Sequence, residues 1–277
     1  MKIEFQEAGF DYNEDGWEKR YLNAYGNLND FRLKVLLQDR SIYKVLTYIY
    51  AVIDKLNKDK KTISMLDVGC GTGHQLMQVS HLCDIAIGFD ISNEIIENNN
   101  KLNTNASFIY GNALEYPKFE NKFNILLMAG ILYDIGYEKE IHKTIFREAY
   151  NNVETDGYFI FYHRGYLNLI TRLRLYGDKL IDKIKKRNKD KYYMCWFDDQ
   201  YVIDLLIEQG FTIKSIDKDD FAFPLTFGLP NRVFGKKNSE SYVSEERLNF
   251  FGKFINFLST NFFPKLSART SIFVVKK

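Results

Sequence analysis

A glycine-rich turn is the segment of the sequence best suited to binding a small molecule. Residues 65–74 read MLDVGCGTGH, so three glycines, Gly69, Gly71 and Gly73, follow directly after a short apolar run. Glycine adopts positive φ angles without strain and lets backbone N–H groups approach a ligand closely. The pattern predicts a strand, a ligand-binding turn and a helix in succession, with a tight turn that binds nothing as the alternative.

The residue after the third glycine bears on which ligand the turn accepts. The dinucleotide-binding fingerprint G-x-G-x-x-G places a further glycine or alanine three residues after its second glycine, where helix and strand pack closely. Here the position three residues after Gly71 is His74, whose imidazole is bulky. Binding of a nicotinamide or flavin dinucleotide is therefore disfavoured, although it stays open as an alternative.

An acidic residue closes the next apolar run. Asp90 stands in the sequence Gly88-Phe89-Asp90-Ile91, 21 residues after Gly69. A carboxylate at the carboxyl end of that strand accepts hydrogen bonds from both hydroxyls of a ribose, as in many nucleoside-binding sites. A helix cap is the alternative role for Asp90, but its register with the glycine turn favours the ribose.

Short apolar runs alternate with helical patterns along the chain, which is typical of strands joined by helices in a parallel sheet. The predicted strands are 64–68, 85–89, 107–110, 123–129, 158–162, 211–216 and 271–275. The predicted helices are 29–57, 74–82, 92–101, 138–152 and 198–209. We therefore expect an α/β fold, a seven-stranded, mostly parallel Rossmann-like sheet with helices on both faces.

One domain is expected to span residues 1–277. Within it, 1–60 form an N-terminal helical cap, 62–164 form the ligand-binding core, and 165–195 and 221–268 are insertions. Insertions at the carboxyl ends of parallel strands usually build substrate pockets or lids. Both insertions are therefore assigned to the substrate side.

Composition and charge exclude several classes of protein. With 45% hydrophobic and 27% charged residues, the chain can bury a full core, and disorder is excluded. A net charge of +2 is too small for a general nucleic-acid binder, so no nucleic-acid partner is expected.

The acidic start and the lack of an apolar stretch of about 18 residues indicate a cytoplasmic protein. Neither a disulfide framework nor a metal site is expected from the spacing of possible ligands.

In these features the chain resembles the class I, Rossmann-like S-adenosylmethionine-dependent methyltransferases, over residues 62–161 and more weakly to residue 216. Asp67 with the three glycines matches the acidic residue and G-x-G-x-G of the family's first motif, and Asp90 matches its ribose-binding acid. The motif at 111–113 reads Gly-Asn-Ala where the family usually has Gly-Asp-Ala. Asparagine still donates to, or accepts from, the amino edge of adenine.

The resemblance implies S-adenosylmethionine as cofactor and S-adenosylhomocysteine as product, without a metal. It implies that the cofactor-binding residues are Asp67, Gly69, Cys70, Gly71, Gly73, Asp90, Ile91, Asn112, Ala113, Met128 and Ala129. Many members also fold an aromatic N-terminal segment over the cofactor, which adds Tyr21. A hydrophobic cap on the domain explains that segment equally well.

Methyl transfer from a sulfonium is an in-line displacement, so the protein positions two reactants and, for hydroxyl or amine acceptors, removes a proton. His163 ends the fifth predicted strand at the carboxyl edge and is the candidate general base. Tyr133 and Asp134, after the fourth strand, are candidates for lining the methionine part of the cofactor and for orienting the acceptor. A purely structural role, as a cap, is the alternative for His163 and Asp134.

The expected acceptor is a small or medium-sized molecule methylated on oxygen or nitrogen, such as a sugar, a glycan or another biosynthetic intermediate. Residues 164–191 contain ten Lys or Arg and three Asp, a charge of +7 in a chain that is otherwise at −5. Basic amphipathic helices in 165–191 are predicted as a lid for a phosphate-bearing acceptor, a peripheral membrane contact or a solvated face. RNA or protein methylation, NAD-dependent oxidoreduction and a catalytically silent binding protein stay as alternatives.

Overall fold

The computed structural model describes residues 4–6, 40–102, 104–132, 135, 138–163, 176, 194–219, 249–263 and 270–277. The strands in these ranges are β1 Glu4–Gln6, β2 Ser64–Val68, β3 Ile85–Asp90, β4 Ser107–Tyr110, β5 Phe123–Ala129, β6 Val153–His163, β7 Met194–Trp196, β8 Thr212–Asp219 and β9 Thr270–Lys276. The α-helices are α1 Arg40–Lys58, α2 His74–Val79, α3 Asn93–Asn100, α4 Lys139–Asn152, α5 Asp199–Glu208 and α6 Phe250–Phe262. A short 3-10 helix, Ser80–Leu82, follows α2.

β2 is the third strand of a seven-stranded sheet whose strand order is β4-β3-β2-β5-β6-β9-β8. The strands from β4 to β6 are parallel, whereas β9 is antiparallel to both β6 and β8. The predicted seven-stranded, mostly parallel sheet is confirmed, with one reversed strand. The chain moves outward from β2 on one side and returns to its other side at β5. Ligands of such sheets bind where the strand order reverses, outside the carboxyl ends of the strands.

Helices cover both faces of this sheet. On one face α1 contributes a buried stripe with helical spacing, formed by Val45, Ile49, Val52, Ile53 and Leu56. On the other face α4 and α5 pack against the sheet through Phe146, Ala149, Val202, Leu205 and Leu206. Because β2 and most of β5 are covered from both sides, their sequences are mostly apolar rather than alternating, with Ser64, Asp67 and Asn124 as buried polar exceptions.

β6 begins five residues earlier than predicted, at Val153 instead of Tyr158. Its pairing with β5 skips residues 154–157, which form an irregularity within the strand. Asp156 has a φ of 68° there, and a side chain at Gly157 would collide with the backbone of the same turn. The predicted turn at 154–157 is therefore present, but inside a longer strand.

A second, two-stranded sheet was not predicted. β1 pairs with β7 in antiparallel register, from Glu4 opposite Trp196 to Gln6 opposite Met194. Strands of three residues are too short to show a periodic pattern, so the sequence contains no signal for this pairing.

The predicted cap and insertions lie largely outside the described residues. Of the segment 165–195, only Tyr176 and the start of β7 are described, and the segment 221–268 contributes α6. Among the described helices, none is both long and apolar enough to cross a membrane.

Candidate functional site

The turn after β2 is held by backbone hydrogen bonds. Gly69, Gly71 and Gly73 have φ angles of 62°, 49° and 67°, in the left-handed region that glycine adopts without strain. The N–H of Cys70 donates to the carbonyl oxygen of Phe89 at 2.9 Å, and the N–H of Gly73 donates to that of Cys70 at 2.9 Å. The turn is thereby fixed against β3 and leads into α2, as predicted.

Two of the glycines also lack room for a side chain. A Cβ on Gly69 would lie 2.3 Å from Cδ1 of Ile131, and a Cβ on Gly73 would lie 2.6 Å from Cε1 of Phe108. The neighbour of Gly73 is the ring of Phe108, which is itself buried, and His74 begins α2 directly after this glycine. The dinucleotide fingerprint needs a glycine or alanine at position 74. Here the close contact falls on Gly73 instead, so His74 does not have to be small.

The Asp90 carboxylate links the glycine turn to the start of α3. Its Oδ2 accepts a hydrogen bond from the N–H of Gly71 at 2.9 Å, and its Oδ1 accepts one from the N–H of Ser92 at 3.0 Å. Burial raises the pKa of the Asp90 carboxyl above its usual value, while the backbone hydrogen bonds oppose that shift. Each carboxylate oxygen has a further acceptor site, so a ribose diol can bind at the edge of the turn.

Asp67 is the most deeply buried acid of the site. It lies in β2 with 1% of its surface exposed, and its Oδ1 has no hydrogen-bond partner within the described part of the chain. Burial, and then the negative charge of Asp90, raise the pKa of the Asp67 carboxyl well above its usual value. A buried acid of this kind is costly unless a ligand compensates it. The ammonium and sulfonium of S-adenosylmethionine supply such a charge, so these residues fit that cofactor.

Cys70 fills the space between the turn and β3. A Cβ on Gly88 would lie only 3.0 Å from the Cys70 sulfur, so the glycine in β3 makes room for the thiol. Burial, followed by the negative charges of Asp67 and Asp90, raises the pKa of the Cys70 thiol well above its usual value. Because only a thiolate is strongly nucleophilic, Cys70 acts through its packing and its backbone.

Asn99, in α3, holds the glycine turn but was not predicted as part of the site. Its Nδ2 donates to the carbonyl oxygen of Gly71 at 2.8 Å. Ser92 caps the same helix by accepting the N–H of Ile95 on its Oγ. Serine is a preferred N-cap, so the cap was readable from the sequence, whereas nothing in the sequence connects Asn99 with a turn 28 residues earlier.

The predicted adenine-binding residues lie at the outer end of this region. The N–H of Gly111 donates to the carbonyl oxygen of Asp90 at 3.0 Å, which joins the 111–113 motif to the ribose-binding position. The Oδ1 of Asn112 accepts the N–H of Leu114 at 2.9 Å, so this bond uses the oxygen and not the amide protons of the side chain. Ile91 is exposed beside Asp90.

Met128 and Ala129 end β5 next to the glycine turn, since Met128 pairs with the last residue of β2. Met128 is buried on the α4 side of the sheet, and Ala113 packs against the same cluster. Gly130 follows with a φ of 81° and donates its N–H to the carbonyl oxygen of Tyr162 at 3.1 Å. The chain therefore turns sharply directly after β5.

His163 ends β6 at the predicted carboxyl edge, with 1% of its surface exposed. Its ring centroid lies 5.0 Å from that of Phe197. Phe197 also contacts His142 at 4.9 Å, and the Nδ1 of His142 lies 2.7 Å from the hydroxyl of Tyr201. His163 is thus held in an aromatic, water-poor environment on the side of the sheet covered by α4 and α5.

A polar row continues from His163 across the two neighbouring strands. His163 pairs with Ser271 in β9, and Ser271 pairs with Lys218 in β8; directly opposite residues in antiparallel strands share a face. The Ser271 hydroxyl donates to Oδ1 of Asp199 at 2.8 Å and accepts from the Lys218 ammonium at 2.8 Å. Lys218 also forms an ion pair with Asp199 at the start of α5. No motif predicted this row.

Three predicted site residues, Tyr21, Tyr133 and Asp134, lie outside the described residues. Within the described ranges, no group of three or more His, Cys, Asp or Glu is placed to hold a metal ion. The glycine turn, Asp67, Asp90, Asn112, Met128 and Ala129 are brought to one edge of the sheet.

A sequence profile of the family described as "Methyltransferase domain" matches residues 59–222. The match covers more than half of the chain and runs from just before β2 to just after β8. It includes the glycine turn, Asp90 and His163. No curated protein sequence matches the chain.

Solved structures share the fold at low sequence identity. An S-adenosylmethionine-dependent methyltransferase from Archaeoglobus fulgidus is 16% identical with a TM-score of 0.55, over 96% of this chain and 100% of that one. The magnesium protoporphyrin IX methyltransferase of Synechocystis PCC 6803, solved with bound S-adenosylhomocysteine, is 13% identical with a TM-score of 0.51, over 94% and 98%. An S-adenosylmethionine-dependent methyltransferase from Methanosarcina mazei is 14% identical with a TM-score of 0.51, over 78% and 92%. At these identities the likeness shows the fold.

Proposed function

This chain belongs to the methyltransferase domain family, whose cofactor is S-adenosylmethionine, and we propose that it methylates an oxygen or nitrogen atom of a small or medium-sized acceptor. The observation that carries the proposal is the pair of acids at the glycine turn. Asp90 is bonded to the turn through Gly71, and Asp67 is buried beneath it without a partner for Oδ1 among the described residues.

The two acids have different roles in this proposal. Asp90 accepts the ribose hydroxyls on the oxygens that already hold the turn and the start of α3. Asp67 balances the positive charge of the amino-acid part of the cofactor, which removes the cost of its burial. Asn112 and Ile91 contact the adenine, and Tyr21 covers the cofactor from the N-terminal segment.

Bound S-adenosylmethionine supplies an electrophilic methyl group, so the residues of this chain have to align the acceptor, exclude water and take up its proton. We assign the proton uptake to a ring nitrogen of His163. The aromatic surroundings of His163, including Phe197, keep bulk water away from that step. Tyr133 is assigned to the methionine part of the cofactor and Asp134 to the orientation of the acceptor.

The acceptor is proposed to carry a phosphate, as a nucleotide-linked or lipid-linked sugar does. The support is the charge of +7 on 164–191, which follows directly after His163 in the sequence. A cationic segment joined to the carboxyl end of β6 attracts an anionic acceptor to the edge at which the methyl group is presented.

Calorimetry with S-adenosylmethionine, S-adenosylhomocysteine and NAD tests the cofactor assignment on the full chain. We expect saturable binding of the first two and none of NAD, which is the ligand of the remaining oxidoreductase alternative. Binding of NAD alone would contradict the proposal.

Transfer of a labelled methyl group tests the acceptor class. A panel of nucleotide-linked sugars and sugar phosphates is compared with the same sugars without phosphate. Label should enter the phosphorylated compounds first. If label enters only RNA or protein, the proposed small or medium-sized acceptor is wrong, and the chain is an RNA or protein methyltransferase instead.

A further inference from the structure

The polar row that begins at His163 is the last layer of side chains on the α5 face of the sheet. Its members are His163 of β6, Ser271 of β9 and Lys218 of β8. The layer directly below is apolar and consists of Phe161, Phe273 and Ile216. Because β9 runs antiparallel to β6 and β8, its second residue lies where those two strands end. The row therefore stands at the carboxyl edge of β6, beside the proposed base.

Asp199 joins this row to the start of α5. Its Oδ1 accepts the Ser271 hydroxyl at 2.8 Å, and its Oδ2 forms an ion pair with the Lys218 ammonium. The same ammonium donates to the Ser271 oxygen at 2.8 Å. Ser271 is fully buried, and the side chains of Lys218 and Asp199 are only 13% and 20% exposed. These three side chains form a closed triangle of bonds between β8, β9 and α5.

The aromatic ring that lies against His163 comes from just before α5. Phe197 precedes Asp199 by two residues, and its ring centroid lies 5.0 Å from that of His163. Phe197 also contacts His142 edge-on at 4.9 Å and stacks on Tyr201. Because two residues span at most about 7 Å, a shift of Asp199 carries Phe197 with it. The position of Phe197 on the imidazole thus depends on where the triangle holds Asp199.

We propose that Ser271 and Asp199 are positioning residues for His163. They hold Phe197 in place, and Phe197 keeps the imidazole in the orientation in which it takes up the proton of the acceptor. The inference rests on the proposed function of His163 as the base, and it adds the residues through which the fold sets the geometry of that base.

The location of the triangle favours positioning over a purely stabilising tie. A largely buried ion pair adds little net stability, because desolvation offsets the attraction. A tie between α5 and the sheet that served stability alone would fit at any layer, but this one includes Ser271, directly opposite His163 in register. A misplacement of about 1 Å in a reacting group costs up to about 100-fold in rate, so turnover is sensitive to this contact.

Carbon-13 NMR of the histidine rings in the full chain tests the arrangement without any acceptor. Ser271→Ala removes the hydroxyl of the triangle, and Asp199→Asn removes its ion pair. In both variants we expect the signals of His163 and His142 to shift, because both rings lie against Phe197. The signal of His163 is assigned by its loss in His163→Ala.

The other end of α5 offers a matched control. Glu208 is the last residue of this helix and forms an ion pair with Lys143 of α4 at 2.6 Å. Glu208→Gln therefore removes a tie of the same helix far from the polar row, and it should leave the His163 signal unchanged. Unchanged signals of His163 and His142 in the two triangle variants would overturn the inference. If Ser271→Ala does not fold, Asp199→Asn alone decides, since its side chain is partly exposed.

Turnover separates positioning from a purely structural role. With a phosphorylated sugar that takes up label in the panel described above, kcat of both triangle variants should fall about tenfold. KM for that sugar and the Kd of S-adenosylhomocysteine should stay within about twofold. A lower melting temperature with wild-type kcat would overturn the inference. Wild-type turnover in His163→Ala would instead show that the proposed base is wrong, and the NMR signals would still report whether the triangle holds the ring.

Discussion

The N–H of Gly71 donates to Oδ2 of Asp90 at 2.9 Å, so the middle of the glycine turn is bonded directly to the carboxylate proposed to bind ribose. The carbonyl oxygen of the same glycine accepts Nδ2 of Asn99 at 2.8 Å. Gly71 is therefore held from both sides, by the end of β3 and by α3. The position of the turn relative to the ribose depends on these two bonds.

Asn99→Ala should loosen the turn without touching the ligand. Removing a buried hydrogen bond costs about 1 kcal/mol, so we expect S-adenosylhomocysteine to bind a few-fold more weakly and the melting temperature to fall. Asn98→Ala is the matched control, because Asn98 donates to Glu94 on the exposed side of the same helix. Equal affinities of the two variants would show that Asn99 does not position the turn.

Asp67→Asn should make the cofactor-free protein more stable at high pH. Burial and Asp90 raise the pKa of Asp67 in the folded state above its ordinary value of 3.8, so the native state binds more protons than the unfolded state once the pH exceeds that value. Stability then falls as the pH rises toward the folded pKa. The asparagine carries no charge and avoids this loss.

Melting curves across the pH range measure the effect of Asp67→Asn. The variant should melt above the wild type near about pH 8, with the difference shrinking toward about pH 4. It should also bind S-adenosylmethionine more weakly, because the balancing charge is gone. Asp54→Asn, at an exposed position of α1, should change neither quantity. A lower melting temperature at every pH would contradict the assignment.

His163→Ala should lower the turnover number by about 100-fold or more, since proton removal by a positioned base is worth that much. Cofactor affinity should stay nearly unchanged, because His163 lies beyond the end of β5, where the cofactor site ends. His81→Ala, at an exposed histidine, is the control. Wild-type turnover with the identified acceptor would leave His163 a packing residue against Phe197.

Reversing Lys183, Lys185, Lys186 and Arg187 to Glu should raise the Michaelis constant for a phosphate-bearing acceptor. The effect should shrink in high salt, because screening removes it, and cofactor binding should be unaffected. Reversing four exposed lysines elsewhere, at positions 58, 60, 61 and 101, changes the net charge equally and should leave the Michaelis constant nearly unchanged. If the two variants have the same Michaelis constant for the acceptor at low ionic strength, the basic segment is a solvated surface and does not attract the acceptor.

The sheet was predictable because its strands follow a local rule. Strands buried on both faces are mostly apolar, and the chain changes to helical spacing between them, so β2, β5 and β9 can be predicted without any structure. The glycine turn was visible for a similar reason, because positive φ angles at positions 69, 71 and 73 demand glycine. β1 and β7 were not predicted, because a strand of three residues is too short to show a periodic pattern.

The contacts that complete the site join residues that are far apart in the sequence but close together in the fold. Ser271, Lys218 and Asp199 come from β9, β8 and α5, and only the strand register aligns them with His163. The buried environment of His163 likewise comes from Phe197, 34 residues later in the sequence. Sequence spacing carries no information on such pairings, so they follow only from the folded chain.

The affinity of Asp90→Ala for S-adenosylhomocysteine, measured by calorimetry, tests the central claim most directly. The substitution removes the charged acceptor of two ribose hydroxyls, which costs about 1.5 to 3 kcal/mol, so binding should weaken by tenfold or more. Glu94→Ala, at an exposed acid in the first turn of α3, should bind like the wild type. An unchanged affinity in a folded Asp90→Ala protein would contradict the claim that this edge of the sheet holds the cofactor.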